Sequence, residues 1–401
     1  MSMELVKPKR PYRFHILGYT HLPVSERYMA CAFTQKIVKL NKMLLSMGHE
    51  VFLYGAEGSD APCTEFIQTH TLADIRREWG DGDNRPECDG LGYQWRKTSF
   101  RHDFNDKPTH TTIKFRTNAA KAINERKRPD DFLLLMQGHY HKQVADEVKL
   151  YLTCEPGIGY RGAIKTPLPY SQGPFHAFES TYLRDFVSGS WFPMKSINGS
   201  YYDRVIPNYF DANDFPFQEK KEDYFFYIGR MIQRKGVWTA INTAGAVGKK
   251  LILAGQESDE VNVNNLPPHC EFVGYVEPAE RAELMGKAIA TFTPTIYLEA
   301  FAGTHVESML CGTPVITTNF GVFNDTIING VNGYRCDTMQ DFVNAARVIK
   351  QLTPAIVRHY AEQYLMKNVR FEFQKWWDDL YQLYLSATDP AWKGKGWSYY
   401  E

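Results

Sequence analysis

The sequence predicts an α/β protein of two doubly wound domains facing a central cleft. Three observations predict it. Short apolar runs of strand length alternate with longer stretches of helical periodicity. That alternation breaks once, in a charged, Pro-bearing run near residues 211–223, and then restarts. The 401 residues suffice for about two or three domains at roughly 150 residues each. Successive βαβ units cross over right-handedly and build parallel sheets, whose ligands lie beyond the carboxyl ends of the strands.

The first half opens with "YRFHILGY", a strand. Next comes "YMACAFTQKIVKLNKMLLSMG", a helix closed by Gly48, and then a second strand, "HEVFLYG". Residues 59–105 are polar and rich in Gly, Asp and charge, and are expected to be irregular. "TTIKFRTNAAKAINERKR" reads as a helix, "DFLLLMQG" as a buried strand, "HYHKQVADEVK" as a helix and "LYLTCEPGIGY" as a strand. The second half runs through the strand "YFFYIGR", the helix "GVWTAINTAGAVG", the strands "KLILAG" and "EFVGYV", the helix "PAERAELMGKA" and the strands "IATFTP" and "PVITT". Helices near "MQDFVNAARVIKQL" and "AIVRHYAEQYL" close it, and "FEFQKWWDDLYQLYL" is a last helical segment before an aromatic tail. The domains are therefore placed at residues 1–210 and 222–370, with 371–401 as a terminal helix and tail.

Bulk composition excludes more than it selects. Lys plus Arg equals Asp plus Glu at 46 each, so overall charge favours no partner. The distribution is uneven: residues 1–207 hold 28 basic and 23 acidic residues, a net of +5, and the remainder a net of −5. No apolar run approaches the roughly 18 residues needed to span a bilayer, and the first one reads as a strand, not a secretory signal. The seven scattered cysteines, without a CxxC pair, fit reduced thiols in a cytoplasmic protein and offer no zinc site. The sequon at Asn198 is then incidental. Aromatic residues, 14% of the chain, are plentiful enough to line a ligand cleft as well as a core.

Two constellations carry chemistry. In "YIGRMIQRKGV", Arg230 ends a strand and Lys235 precedes a helix. Two fixed cations there make either a phosphate site or a solvated basic loop. In "TPTIYLEAFAGTHVESMLCGTPVITT", Glu299 and Glu307 stand eight residues apart across a small-residue turn. Thr304 and Glu307 have the T-x-x-E spacing of a capping box, which alone would explain Glu307. Glu299 precedes the helix and is free to project into a cleft. Carboxylates accept strongly from hydroxyls, and small residues let a ligand approach backbone N–H groups closely. Cations, turn amides and two hydroxyl-binding carboxylates together suit a nucleotide sugar.

These residues resemble those of retaining GT-B glycosyltransferases, specifically glycosyltransferase family 4 (group 1). That family pairs an R-x4-K phosphate clamp with an E-x7-E motif followed by Gly-x-Pro-Val, met here as Arg230, Lys235, Glu299, Glu307, Gly312, Pro314 and Val315. The resemblance covers most of residues 222–370. It implies two Rossmann-like domains, a final helix crossing back to the N-terminal domain, and metal-independent transfer of a hexose from a UDP- or GDP-linked donor to an acceptor hydroxyl. It also implies that Arg230 and Lys235 hold the donor diphosphate, Glu299 the donor sugar and Glu307 the ribose. The turn Phe301, Ala302, Gly303 and Thr304 would bind through its amides, and Gly274, Tyr275 and Val276 would flank the base. The family often has Gly after the first Glu and Pro near the helix start, where this chain has Ala300 and Gly-Thr-His.

The first half matches more loosely. Gly18 stands where relatives carry a Gly-Gly pair, and Glu155 occupies the place of a His near the reacting carbon. Glu155 is either a catalytic carboxylate, binding donor-sugar hydroxyls or stabilising positive charge at the anomeric carbon, or the surface start of a Pro-Gly turn. His21, His139 and His141 read as structural, and the Asp-Gly-Asp of residues 81–83 as a solvated loop, not a metal site. Residues 96–128 hold ten basic and three acidic residues, a net of +7. They make either a solvated face or a surface that steers an anionic acceptor, such as a phosphate-bearing lipid or a nucleic acid with a hydroxylated base. Two rival functions are a catalytically silent nucleotide-sugar-binding protein and a phosphorylase. The latter needs a pyridoxal phosphate lysine, for which no sequence context is found.

Overall fold

The computed structural model describes residues 11–28, 31–79, 109–136, 138–158, 175–191, 202–388 and 390. The first domain holds β1 (Arg13–Leu17), β2 (Glu50–Ala56), β3 (Glu65–His70), β4 (Phe132–Leu134), β5 (Leu152–Ile158), β6 (Phe175–Phe178) and β7 (Arg204–Val205). They form one parallel sheet in the order β3-β2-β1-β4-β5-β6-β7. The second holds β8 (Tyr224–Ile228), β9 (Lys250–Ala254), β10 (Cys270–Phe272), β11 (Ala290–Thr293), β12 (Val315–Thr318) and β13 (Gly333–Cys336). Its order is β10-β9-β8-β11-β12-β13, again parallel. Both are doubly wound: the order reverses between β1 and β4 and between β8 and β11, and ligands of such sheets sit at that reversal.

Strands buried on both faces explain the near-continuous apolar runs. β1 and β8 have residues such as Phe14, Ile16, Phe225 and Phe226 almost wholly out of water. Helices cover the faces. Ala32–Ser46 buries Ile37, Val38, Leu40, Met43 and Leu44 against the first sheet. Its chain then turns through Gly48 at φ 84°, a left-handed residue where glycine is favoured.

Two regions differ from expectation. Residues 59–105 are not irregular throughout, because β3 and the helix Leu72–Trp79 lie within them. β3 is an edge strand with only two fully buried residues, so its apolar signal is weak. Likewise β6, β7, β13 and the helix Thr181–Trp191 add elements that the sequence reading did not place.

The closing helix runs from Met366 to Thr388 and packs on the first domain. Its Val369, Phe373, Trp376, Trp377 and Leu380 join the core of β1, β4 and β5. Trp377 lies edge-on to Phe14 at 5.2 Å and to Phe132 at 5.4 Å. The chain thus passes between domains twice. The two passages are joined: Phe210 N–H donates to Tyr364 O at 3.0 Å, and Met366 N–H to Phe210 O at 2.9 Å. Among the described residues no helix is long and apolar enough to cross a membrane.

Candidate active site

A cleft cavity of about 370 Å³ lies between the domains, at the carboxyl ends of the second sheet. Its second-domain wall is built at the reversal point. Chain leaving β8 makes a short 3-10 turn, Gln233–Lys235, before the helix Val237–Ala246. Chain leaving β11 makes the loop that carries Glu299. The two meet closely. Ile296 N–H donates to Arg234 O at 3.0 Å. Gly236, at φ 73°, lies so near Pro294 that a Cβ would sit 2.0 Å from its carbonyl oxygen. Only glycine satisfies both the backbone angle and that approach.

This juxtaposition brings Lys235 Nζ into an ion pair with Glu299 Oε1. Lys235 also lies over the Tyr297 ring, 5.0 Å from its centroid. Burial works against the lysine's charge, but the Glu299 carboxylate and Tyr297 outweigh it, so its pKa is raised and the ammonium is firmly held. Arg230 stands five residues earlier on the same connection. Its carbonyl accepts from Tyr227 Oη at 3.2 Å, and its side chain is not among those lining the cavity.

Glu307 is only 6% exposed and lines the same cavity. The capping box with Thr304 is not formed. Thr304 is the first residue of the helix Thr304–Leu310, Gly303 is the N-cap, and no side chain caps it. A box needs its Ser or Thr at the N-cap itself, one residue earlier. Glu307 instead pairs with Arg281 at 3.4 Å, from the helix Pro278–Lys287.

The turn before that helix also lines the cavity, through Phe301, Ala302, Gly303 and Thr304. The Phe301 side chain is buried against Phe210 and Tyr364, which leaves its backbone to face the cleft. Ala302 has φ 57°, a left-handed conformation that costs a non-glycine residue about 1–2 kcal/mol. His305, fully buried, donates from Nδ1 to Ala302 O at 2.6 Å. Burial pushes its pKa down to about 4, so the ring is neutral at pH 7.

A second cavity of about 240 Å³ adjoins the first and shares Gln35, Lys39 and Arg281 with it. Tyr275 and Val276 line it. Gly274, at φ 76°, precedes them and accepts from Gly255 N–H at 2.7 Å.

Sequence reasoning missed the first-domain wall. Lys36 and Lys39, three residues apart on the helix Ala32–Ser46, and Glu179, just after β6, all line the main cavity. Lys36 pairs with Glu179 and donates to Gly157 O at 2.7 Å. Lysines at i and i+3 share a helix face, and these stand among apolar neighbours. Arg281 was equally hidden, in a helix that reads as solvated.

Other expected residues sit apart from the cavity. Glu155 does not begin a turn: β5 continues through it to Ile158, with a register shift between Pro156 and Ile158. It pairs in register with His176 and does not line either cavity. Gly18 directly follows β1, where its N–H donates to Tyr54 O at 2.7 Å and its carbonyl accepts from His141 Nε2 at 3.0 Å. Residues 81–83 and Asn198 lie outside the described residues, as do residues 96–108 of the basic segment. In the rest of that segment the cations are largely engaged. Lys114 pairs with Asp74, Arg116 bonds Tyr140 O, Arg126 pairs with Glu65, and Lys127 bonds Val148 O. Such cations present less free charge than their number indicates.

The family model described as Glycosyl transferases group 1 matches residues 210–354. A glycogen synthase of Mycobacterium tuberculosis is 29% identical over 147 residues, 33% of this chain and 35% of that protein. The O-antigen chain mannosyltransferase RfbU of Salmonella typhimurium is 26% identical over 183 residues, 43% and 52% of the two chains. The chain thus spans about a third to a half of the length of these curated relatives. Among solved structures, Anabaena HepE in complex with UDP and glucose superposes over 92% of this chain and 100% of its own, with a TM-score of 0.59 at 13% identity. The fold is therefore GT-B, and residues 210–354, which span the second domain, are similar to the glycosyl transferases group 1 family.

Proposed function

We propose that this protein is a retaining glycosyltransferase that moves a hexose from a nucleoside-diphosphate sugar to an acceptor hydroxyl. The observation that carries the reading is the pairing of Lys235 with Glu299 across the β8/β11 reversal, beside Glu307 on the same cavity wall. Solved HepE holds UDP and glucose on the same fold, which supports a nucleotide-sugar donor here.

Each residue then has a task. Negative charge develops on the β-phosphate as the glycosidic bond breaks. Lys235 stabilises it from a fixed position, with Arg230 on the same connection, and no metal is required. Glu299 accepts from hydroxyls of the donor sugar, and Glu307, oriented by Arg281, from those of the ribose. The acceptor oxygen attacks from the face that the diphosphate leaves, so the departing phosphate oxygen takes its proton and the anomeric configuration is kept. Closure of the cleft excludes water and limits hydrolysis.

The test is a panel of UDP- and GDP-linked hexoses with mixed acceptors in the presence of EDTA, followed by mass detection of released nucleotide and product. Nucleotide release with an α-linked product from an α-linked donor is expected. An inverted anomer would remove the retaining mechanism. Binding of a donor with no release would leave a silent binding protein.

A further inference from the structure

The main cavity is lined by four cationic side chains and three carboxylates, and the pairing among them is one to one except at a single place. Lys36 faces Glu179, Lys235 faces Glu299, and Arg281 faces Glu307. Lys39 has no carboxylate within ion-pair distance among the described residues. It is nonetheless only 5% exposed, less than any of the three paired cations. Its ammonium lies over the Phe210 ring, 5.0 Å from the centroid. A cation–π contact attracts such a group but does not neutralise it.

A buried charge without a counter-charge is unfavourable, and proteins rarely keep one unless it meets an anion in use. Burial lowers the pKa of Lys39, while the more distant carboxylates of Glu307 and Asp214 act the other way. The position of Lys39 says which anion is meant. It lines the main cavity together with Glu299 and Glu307, and also the adjoining cavity that Tyr275 and Val276 line. In the functional reading above, Glu299 holds the donor sugar and Glu307 the ribose, so whatever links the two crosses the main cavity that Lys39 lines. The group that connects sugar to nucleoside in such a donor is the diphosphate.

We propose that Lys39 is a further donor-binding residue, contributed by the first domain, which receives the diphosphate of the nucleotide sugar opposite Lys235. The inference rests on the nucleotide-sugar reading of this cleft. The diphosphate would then be held from both walls, so its binding would draw the domains together. Lys36, already neutralised by Glu179, has no equivalent part.

The experiment is calorimetric titration of the full chain with UDP, GDP, uridine and guanosine, for the parent and for Lys39→Met, Lys39→Gln and Lys39→Arg. Methionine keeps the unbranched stem beside Phe210 and removes the charge. Lys39→Met and Lys39→Gln should weaken the preferred nucleoside diphosphate by about tenfold or more, as loss of a charge-assisted contact does. The matching nucleoside should change by less than about twofold, and Lys39→Arg should recover most of the loss. The melting temperature of Lys39→Met should equal or exceed the parent's, because a buried unpaired charge is gone. Unchanged diphosphate affinity in both neutral variants overturns the proposal and leaves the nucleotide-sugar reading standing. An equal loss for nucleoside and diphosphate also overturns it, since the contact would not be to phosphate. Failure of the parent to bind either diphosphate overturns the nucleotide-sugar reading and this inference with it.

Discussion

Arg281 and Glu307 meet at 3.4 Å, and through them the helix that follows β10 is tied to the helix that follows Gly303. The pair fixes the direction of a carboxylate that the sequence alone also allows as a cap. Since no cap exists at Thr304, Glu307→Gln loses none. Its amide oxygen still accepts from Arg281. We expect the melting temperature to move by only a degree or two, while nucleoside diphosphate binding weakens by about tenfold, the loss of one charge-assisted hydrogen bond to hydroxyl. Calorimetry and thermal melting on the same sample check both. Equal nucleotide affinity would assign Glu307 to structure alone.

Lys235→Ala removes a cation expected at the leaving group and leaves Glu299 without its ion-pair partner. Transfer should slow by the equivalent of about 2–4 kcal/mol of barrier, as for loss of one preorganised contact at a developing charge. Steady-state release of nucleotide measures it. An unchanged kcat/KM would take Lys235 out of the site.

Ala302→Gly tests the turn. The left-handed angle disfavours alanine, whereas glycine adopts it freely at some entropic cost in the unfolded chain. Stability should rise by about 0.5–1 kcal/mol. Chemical denaturation reads this directly, and a loss of stability would show that the Ala302 methyl packs in a way that outweighs the angle.

Acid should destabilise the fold through its buried histidines. The pKa of His305 falls from 6.5 to about 4 on burial, so the unfolded chain binds a proton that the folded one refuses. Its contribution is fully present above pH 6.5 and is lost as pH falls towards 4, up to about 3 kcal/mol in order of magnitude. His70, also pushed down to about 4 by burial, acts in the same direction. In His305→Gln the fall of melting temperature between these pH values should be shallower. Parallel curves for variant and parent would deny His305 this part.

Much of the architecture was legible because parallel sheets bury both faces, and runs such as "FHILGY" and "KLILAG" then stand out. The edge strand Glu65–His70 did not, since solvent on its outer side permits polar residues. Within the site, Lys235, Glu299 and Glu307 were legible because the carboxyl ends of β8 and β11 concentrate them in short stretches of chain. Lys36, Lys39, Glu179 and Arg281 were not, because each reaches the cleft from a different element. Their sequence neighbours are ordinary helix or strand residues. Glu155 lies apart from the cavities for another reason: Glu-Pro-Gly has the composition of a turn, yet β5 runs through it, taking up Gly157 at φ 74° as a register shift.

The paired passages at Phe210 and Leu365 have a mechanical consequence. Domains strung on one tether can twist as well as swing. Two passages joined side by side at one hydrogen-bonded bridge bend more readily than they twist, so the halves are expected to move as jaws on a pin. Phe210 belongs to that pin, and the ammonium of Lys39 rests over its ring. Displacement per degree of opening is smallest beside a pivot and largest at the lips. Lys39 therefore keeps nearly the same station with the jaws apart or together, and groups farther from the pin travel the greater arc to meet what it holds.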